Sequence, residues 1–133
     1  MASSVVIFDR VDQTIDHVVD LIVAADRNNI SKAGAALDNI IVAENNTGRT
    51  LAIEIGNLRK REDVDPKIPK ILTRFKDKAD TALEKIIIFG KRLVQKLEAK
   101  DAQAVELLGE TVQKHLNEFK TAANKIVAAI ERL

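Results

Sequence analysis

The sequence predicts an all-α protein: an antiparallel, up-down bundle of four to five long amphipathic helices in a single domain covering residues 1–133. Three observations carry this. Apolar residues recur at helical spacing through four long stretches. Turn and cap residues separate those stretches by short connections, which favour antiparallel neighbours. No segment alternates as a half-buried strand does. Ile86-Ile87-Ile88-Phe89 has strand propensity, but it lies inside a helical period between Ala82-Leu83-Glu84-Lys85 and Lys91-Arg92.

The first helix is expected over Ser4–Asp26, with Phe8, Val11, Ile15, Val18, Val19 and Ile22 facing inward and Asp9, Asp12, Asp16 and Asp20 along another strip. Arg27-Asn28-Asn29-Ile30 ends it, and Ser31 is placed to cap the next helix. That second region, Ser31 to Arg61, carries Leu37, Ile40, Ile41, Leu51, Ile55 and Leu58 in one phase. Asn45-Asn46-Thr47-Gly48 interrupts it. A continuous helix puts Glu44 and Gly48 on the inner face, which predicts a break and hence a fifth helix.

Asp65-Pro66 opens the third helix, with Asp as N-cap and Pro at the first helical position. Its inner face is Ile68, Leu72, Phe75, Ala79, Ala82, Ile86, Phe89, Leu93 and Leu97, and Gly90 is a candidate kink. Asp101 caps the last helix, where Val105, Val112, Phe119, Ile126 and Leu133 recur every seven residues. Leu108, His115, Ala122 and Ala129, with Leu116, Ala123 and Ile130, widen that stripe beyond a coiled-coil seam.

Composition narrows the function. Charge is nearly balanced at +1, split as −4 over Met1–Leu58 and +5 over the remainder. A nucleic-acid binder of this size is usually more basic and uses aromatic contacts, whereas Trp and Tyr are absent here; nucleic acid is not an expected partner. No Cys is present, so a disulfide framework, a thiol nucleophile and a Cys-ligated metal are excluded. Glu-x-x-His pairs, as in di-iron bundles, do not occur. The Asp strip offers one carboxylate per turn, which is not a Ca²⁺ loop. With no phosphate loop, no nucleophile elbow and Ser only at positions 3, 4 and 31, the expectation is a protein without catalysis, metal or cofactor. Apolar runs such as Leu21–Ala25 fall far short of a membrane span. Met1-Ala2-Ser3-Ser4 is too short for a signal peptide, so the expectation is a cytosolic chain or a mature segment with an added start. The sequons at Asn29 and Asn45 are consistent with secretion, although about one is expected by chance. Of the two histidines, His17 reads as solvated and His115 as an inward histidine at the core edge.

The order Val11-x3-Ile15-x2-Val18-x2-Leu21, Ala36-Leu37-x2-Ile40-x2-Ala43, Ile71-Leu72, Ala82-Leu83-x2-Ile86-Ile87, Leu107-Leu108, Leu116 and Ile126-Val127-x2-Ile130 resembles the fungal hydrophobic-surface-binding protein A family, which includes cell-wall galactomannoproteins. The resemblance implies a secreted or cell-wall helical bundle that encloses a long-chain fatty acid and acts in virulence, or that adheres to hydrophobic surfaces. This chain is richer in Lys, Arg and Glu than that family. An apolipophorin-like lipid-surface bundle fits the physics nearly as well. The competing class is a structural or protein-interaction bundle with a solid core.

A fatty acid inside the bundle would lie along its axis, where bulky and small positions alternate. The expected lining is Phe8, Val11 and Ile15; Leu37 and Ile40; Leu72, Phe75, Ala79, Leu83 and Ile86; and Val112, Leu116, Phe119 and Ala123. His115 is the inward side chain able to donate to a carboxylate, unless that carboxylate stays in water at a mouth.

Overall fold

A computed structural model describes the backbone from residue 2 to 133 and side-chain environments from residue 6. It contains four helices: α1 (Ala2–Asp26), α2 (Ile30–Arg59), α3 (Lys67–Glu98) and α4 (Ala102–Glu131). At 1.5 Å per residue they are roughly 38–48 Å long. α1 packs most extensively on α2, and α3 on α4; α2–α3 and α4–α1 contacts close the ring, while α1 barely meets α3. The structure is an all-helical bundle around one continuous core.

The helix ends follow local chemistry. Asn28 and Lys100 take left-handed backbone, with φ of 54° and 58°. Each completes a Schellman turn: the Asn29 amide donates to the Ala24 carbonyl at 2.8 Å, and the Asp101 amide to the Lys96 carbonyl at 3.0 Å. The residue after each turn starts the next helix. The Asn29 side chain accepts from the Lys32 amide, and Asp101 from the Ala104 amide, each at 3.1 Å. Asn29 therefore replaces the expected Ser31 as the cap of α2. Before α3, Asp65 Oδ1 accepts from the Lys67 amide at 3.0 Å, so it performs the capping chemistry one residue further from the helix than expected. In the α2–α3 connection the Arg61 guanidinium grips Asp63 with two hydrogen bonds, which hold that exposed carboxyl below its ordinary range.

Two expectations fail for a shared reason. α2 is continuous through Asn45–Gly48, so the described residues form four helices, not five. On α1 the buried face is Ile7, Val11, Thr14, Val18, Leu21 and Ala25, one position round from the expected stripe; Phe8 is 51% exposed and Val19 40%. Both inner faces contain a threonine. Thr14 donates to the Arg10 carbonyl at 2.9 Å, and its oxygen lies 2.9 Å from the Thr47 hydroxyl across the α1–α2 interface. Thr47, not Glu44 or Gly48, is the fully inward residue at the supposed break; those two stay half-buried on the flank. A hydroxyl with a partner can sit in a core at little cost, and hydropathy does not register that pairing.

The pair is asymmetric. Thr14 already donates to a carbonyl, so Thr47 supplies the proton between them, its other acceptor being the Arg10 carbonyl at 3.5 Å. Thr14→Val is therefore expected to strand a buried hydroxyl and cost about 1–3 kcal/mol, against about 1 kcal/mol for Thr47→Val. The double valine variant should recover most of the loss. Urea unfolding of the four proteins in a double-mutant cycle measures this, and equal single costs with full additivity would contradict it.

Gly90 produces no break in α3. A Cβ there would lie 3.0 Å from Leu37 Cδ1 and 3.2 Å from Leu21 Cδ2, so this glycine lets α3 approach those α1 and α2 side chains. The last heptad position, Leu133, is 43% exposed and lies beyond α4.

Candidate functional site

The expected axial lining is largely the core itself. Ile40, Leu72, Ala79, Ile86, Val112, Leu116, Phe119 and Ala123 are fully buried, and Val11, Leu37 and Leu83 nearly so. Ile15 and Phe75 are half-buried against the same cluster. Phe8 does not belong to this set, because α1 turns it outward. Of the fifteen expected residues only Phe75 lines any of the five grooves described between the helices. None of the five grooves therefore opens among the bulky and small residues expected along the axis, apart from Phe75 at its edge.

His115 is buried on α4 at 7% exposure. Its ring stacks on Phe89 of α3, with centroids 5.6 Å apart and planes 8° from parallel, and Arg92 lies over Phe89 at 5.2 Å. Glu118 Oε1 is 3.2 Å from Nδ1 but off the line of a hydrogen bond, so Nδ1 has no partner. His115 therefore belongs to the α3–α4 seam, not to a ligand channel. His17 departs from its solvated reading: it is half-buried, and its Nδ1 is covered and without a partner beside a small polar groove between α1 and α2.

The largest of these grooves lies outside the core, between α3 and α4, with a volume of about 670 Å³. Phe75 and Ala122 supply its apolar surface, while Lys78, Lys125, Asp77 and Glu118 are among its charged walls. Phe75 has two ammonium groups over its ring, Lys78 Nζ at 5.8 Å and Lys125 Nζ at 5.2 Å from the centroid. Such cation–π contacts hold both amines near one apolar surface. Phe75 was legible as an inner-face residue, but the groove depends on how far apart α3 and α4 stand at Thr81 and Thr121. No sequence pattern encodes that distance.

The outer face of α3 carries the strongest charge pattern in the bundle. Lys67, Lys70, Arg74, Lys78, Lys85, Arg92 and Lys96 are all exposed. Their spacing puts them within an arc of roughly 100°, in which no acidic residue falls. Ile71 and Ile88, 48% and 49% exposed, lie in the same arc. Of the acidic residues of α3, Asp77 lines the α3–α4 groove, while Asp80 and Glu84 meet Glu44 of α2 across a further groove.

There Glu44 is pushed above the ordinary glutamate value, first by burial and then by the charges of Glu84 and Asp80, with Lys91 opposing. Asp80 itself is engaged by Lys76 at 2.6 Å. The folded state binds more protons than the unfolded chain between the ordinary glutamate pKa and the raised one, so stability falls as pH rises through that window. Glu44→Gln is expected to raise Tm at about pH 7 and to leave it unchanged at about pH 3, where both forms are neutral. Thermal melts at the two pH values check this; a lower Tm at neutral pH would contradict it.

Among the described residues, no three His, Cys, Asp or Glu side chains are grouped to hold a metal ion, and no helix is long and apolar enough to cross a membrane. No family model, curated protein or solved structure matches the chain.

Proposed function

We propose that this bundle is a non-catalytic binding protein for a long-chain fatty acid or similar anionic lipid, held in the α3–α4 groove. The carrying observation is Phe75 beneath Lys78 and Lys125 in a groove of about 670 Å³. Pockets for small organic ligands fall in this size range. An acyl chain laid on Phe75 and Ala122 gains about 0.8 kcal/mol for each methylene buried, and its carboxylate stays at the rim on the two ammonium groups. No carboxylate then enters the apolar interior, which avoids the desolvation cost that an axial site imposes. In this reading the helices follow an antiparallel, up-down course, and the resemblance of the sequence to fungal surface-binding proteins supports a location outside the cell or in its wall.

The test is palmitate stabilisation in a thermal melt, with mass spectrometry of organic extracts from the purified protein. Saturating palmitate should raise Tm, because a ligand that binds only the folded state stabilises it by mass action. Phe75→Ala and the double change Lys78→Glu, Lys125→Glu should each abolish the gain. No gain in the parent protein and no co-purified fatty acid would refute the proposal. The second reading, an interaction bundle with a solid core, draws on the axial packing of Leu72, Leu116 and Phe119 and would then stand alone.

A further inference from the structure

We propose that the intact bundle docks on anionic membrane surfaces through the outer face of α3. The inference goes beyond fatty-acid binding and does not depend on it. On an ordinary solvated helix, acidic and basic residues alternate at spacings of three and four and neutralise each other. α3 separates them instead: its four acidic residues, Asp77, Asp80, Glu84 and Glu98, fall outside an arc whose only charged residues from Lys67 to Lys96 are cationic. Over that distance the arc forms a nearly straight line roughly 44 Å long. A flat anionic bilayer can engage all of it at once. Basic residues near such a surface strengthen binding about fivefold each, until salt screens them.

The choice of a membrane rests on what else the arc contains. Ile71 and Ile88 are half exposed among the cations. A charged face carrying isolated aliphatic residues suits the headgroup boundary, where the ammonium groups meet phosphates and the side chains enter the acyl edge. Nucleic acid fits less well, because the one aromatic ring at the edge of the arc, Phe89, is half-buried and stacked on His115, and the cations are mostly Lys rather than Arg. A second copy also fits less well. The acidic strip of α1 from Asp9 to Asp20 is roughly 16 Å long, about a third of the cationic line.

The experiment is co-sedimentation of the full chain with phosphatidylcholine vesicles, with and without phosphatidylserine, in low salt and at about 0.15 M salt. Binding is expected only with phosphatidylserine and should weaken as salt rises. Lys70→Gln with Lys85→Gln should weaken it about 25-fold. Lys32→Gln with Lys91→Gln, which removes the same charge away from the arc, should change it little. Ile71→Ser with Ile88→Ser should remove the binding that persists at the higher salt. All six positions are exposed, and circular dichroism verifies that the helices remain. Equal binding to phosphatidylcholine alone, or equal loss from both lysine pairs, would overturn the proposal. It would also be overturned if the serine pair changed nothing, if a DNA duplex bound more tightly than the vesicles, or if the salt-sensitive species proved to be a dimer lost on Asp12→Asn with Asp16→Asn. Because palmitate stabilisation is measured without vesicles, failure here leaves the fatty-acid reading standing, and the reverse also holds.

Discussion

Phe119→Ala is expected to destabilise the bundle by about 3–5 kcal/mol. Phe119 is the largest side chain that is fully buried, and it lies in the same core cluster as Leu72, Leu83 and Leu116. Removing the ring forfeits its transfer free energy and leaves a void that long, rigid helices close only in part. For a domain of ordinary stability that is a large share of the total. Urea unfolding should show a lower midpoint with an unchanged slope, since the surface exposed on unfolding hardly alters. A loss below about 1 kcal/mol would mean that the core is loose around this ring.

The second large effect separates an axial ligand channel from a filled core. Ala79 and Ala123 are both fully buried, on α3 and α4. Ala79→Phe or Ala123→Phe is expected to overpack the interior and cost roughly 1–3 kcal/mol. Neither change should affect palmitate stabilisation conferred by the outer groove, because neither residue lines it. The opposite pattern, unchanged stability with lost palmitate binding, would move the ligand from the groove to the axis. Calorimetry or denaturant unfolding of the two variants, followed by palmitate melts, distinguishes these cases.

The contrast between α3 and α1 explains how much of the fold could be read beforehand. α3 has charged residues on every outward turn and, Ile71 and Ile88 apart, apolar ones inward, so one phase buries most of its apolar set, and Leu72, Ala79, Ile86, Leu93 and Leu97 are inside as their spacing demands. α1 is apolar on more than one side: Phe8, Val19 and Val23 compete with Ile7, Val18 and Leu21. Its true stripe includes Thr14, which lowers the apparent hydrophobicity of the correct face. The α2 break was inferred from Asn, Thr and Gly propensities that are weak beside tertiary packing, and the bond between Thr47 and Thr14 provides the compensation.

For the candidate site, the sequence marked Phe75 and the inward position of His115 but gave neither the groove nor the stacking partner Phe89. Those depend on distances between helices, which periodicity along one helix does not contain.

By itself, then, the sequence determined that this chain is helical, where three connections fall, that Asp101 caps α4, and that cysteine chemistry is absent. These are local properties, set by hydropathy period, cap chemistry and residue type. Only the tertiary structure decided which face α1 buries, that α2 runs unbroken, that most of the expected axial residues are buried together, and that the largest of the described grooves lies beside Phe75. Each of those depends on a pairing between helices, such as Thr14 with Thr47 or Gly90 with Leu21 and Leu37, and such pairings exist only once the helices meet.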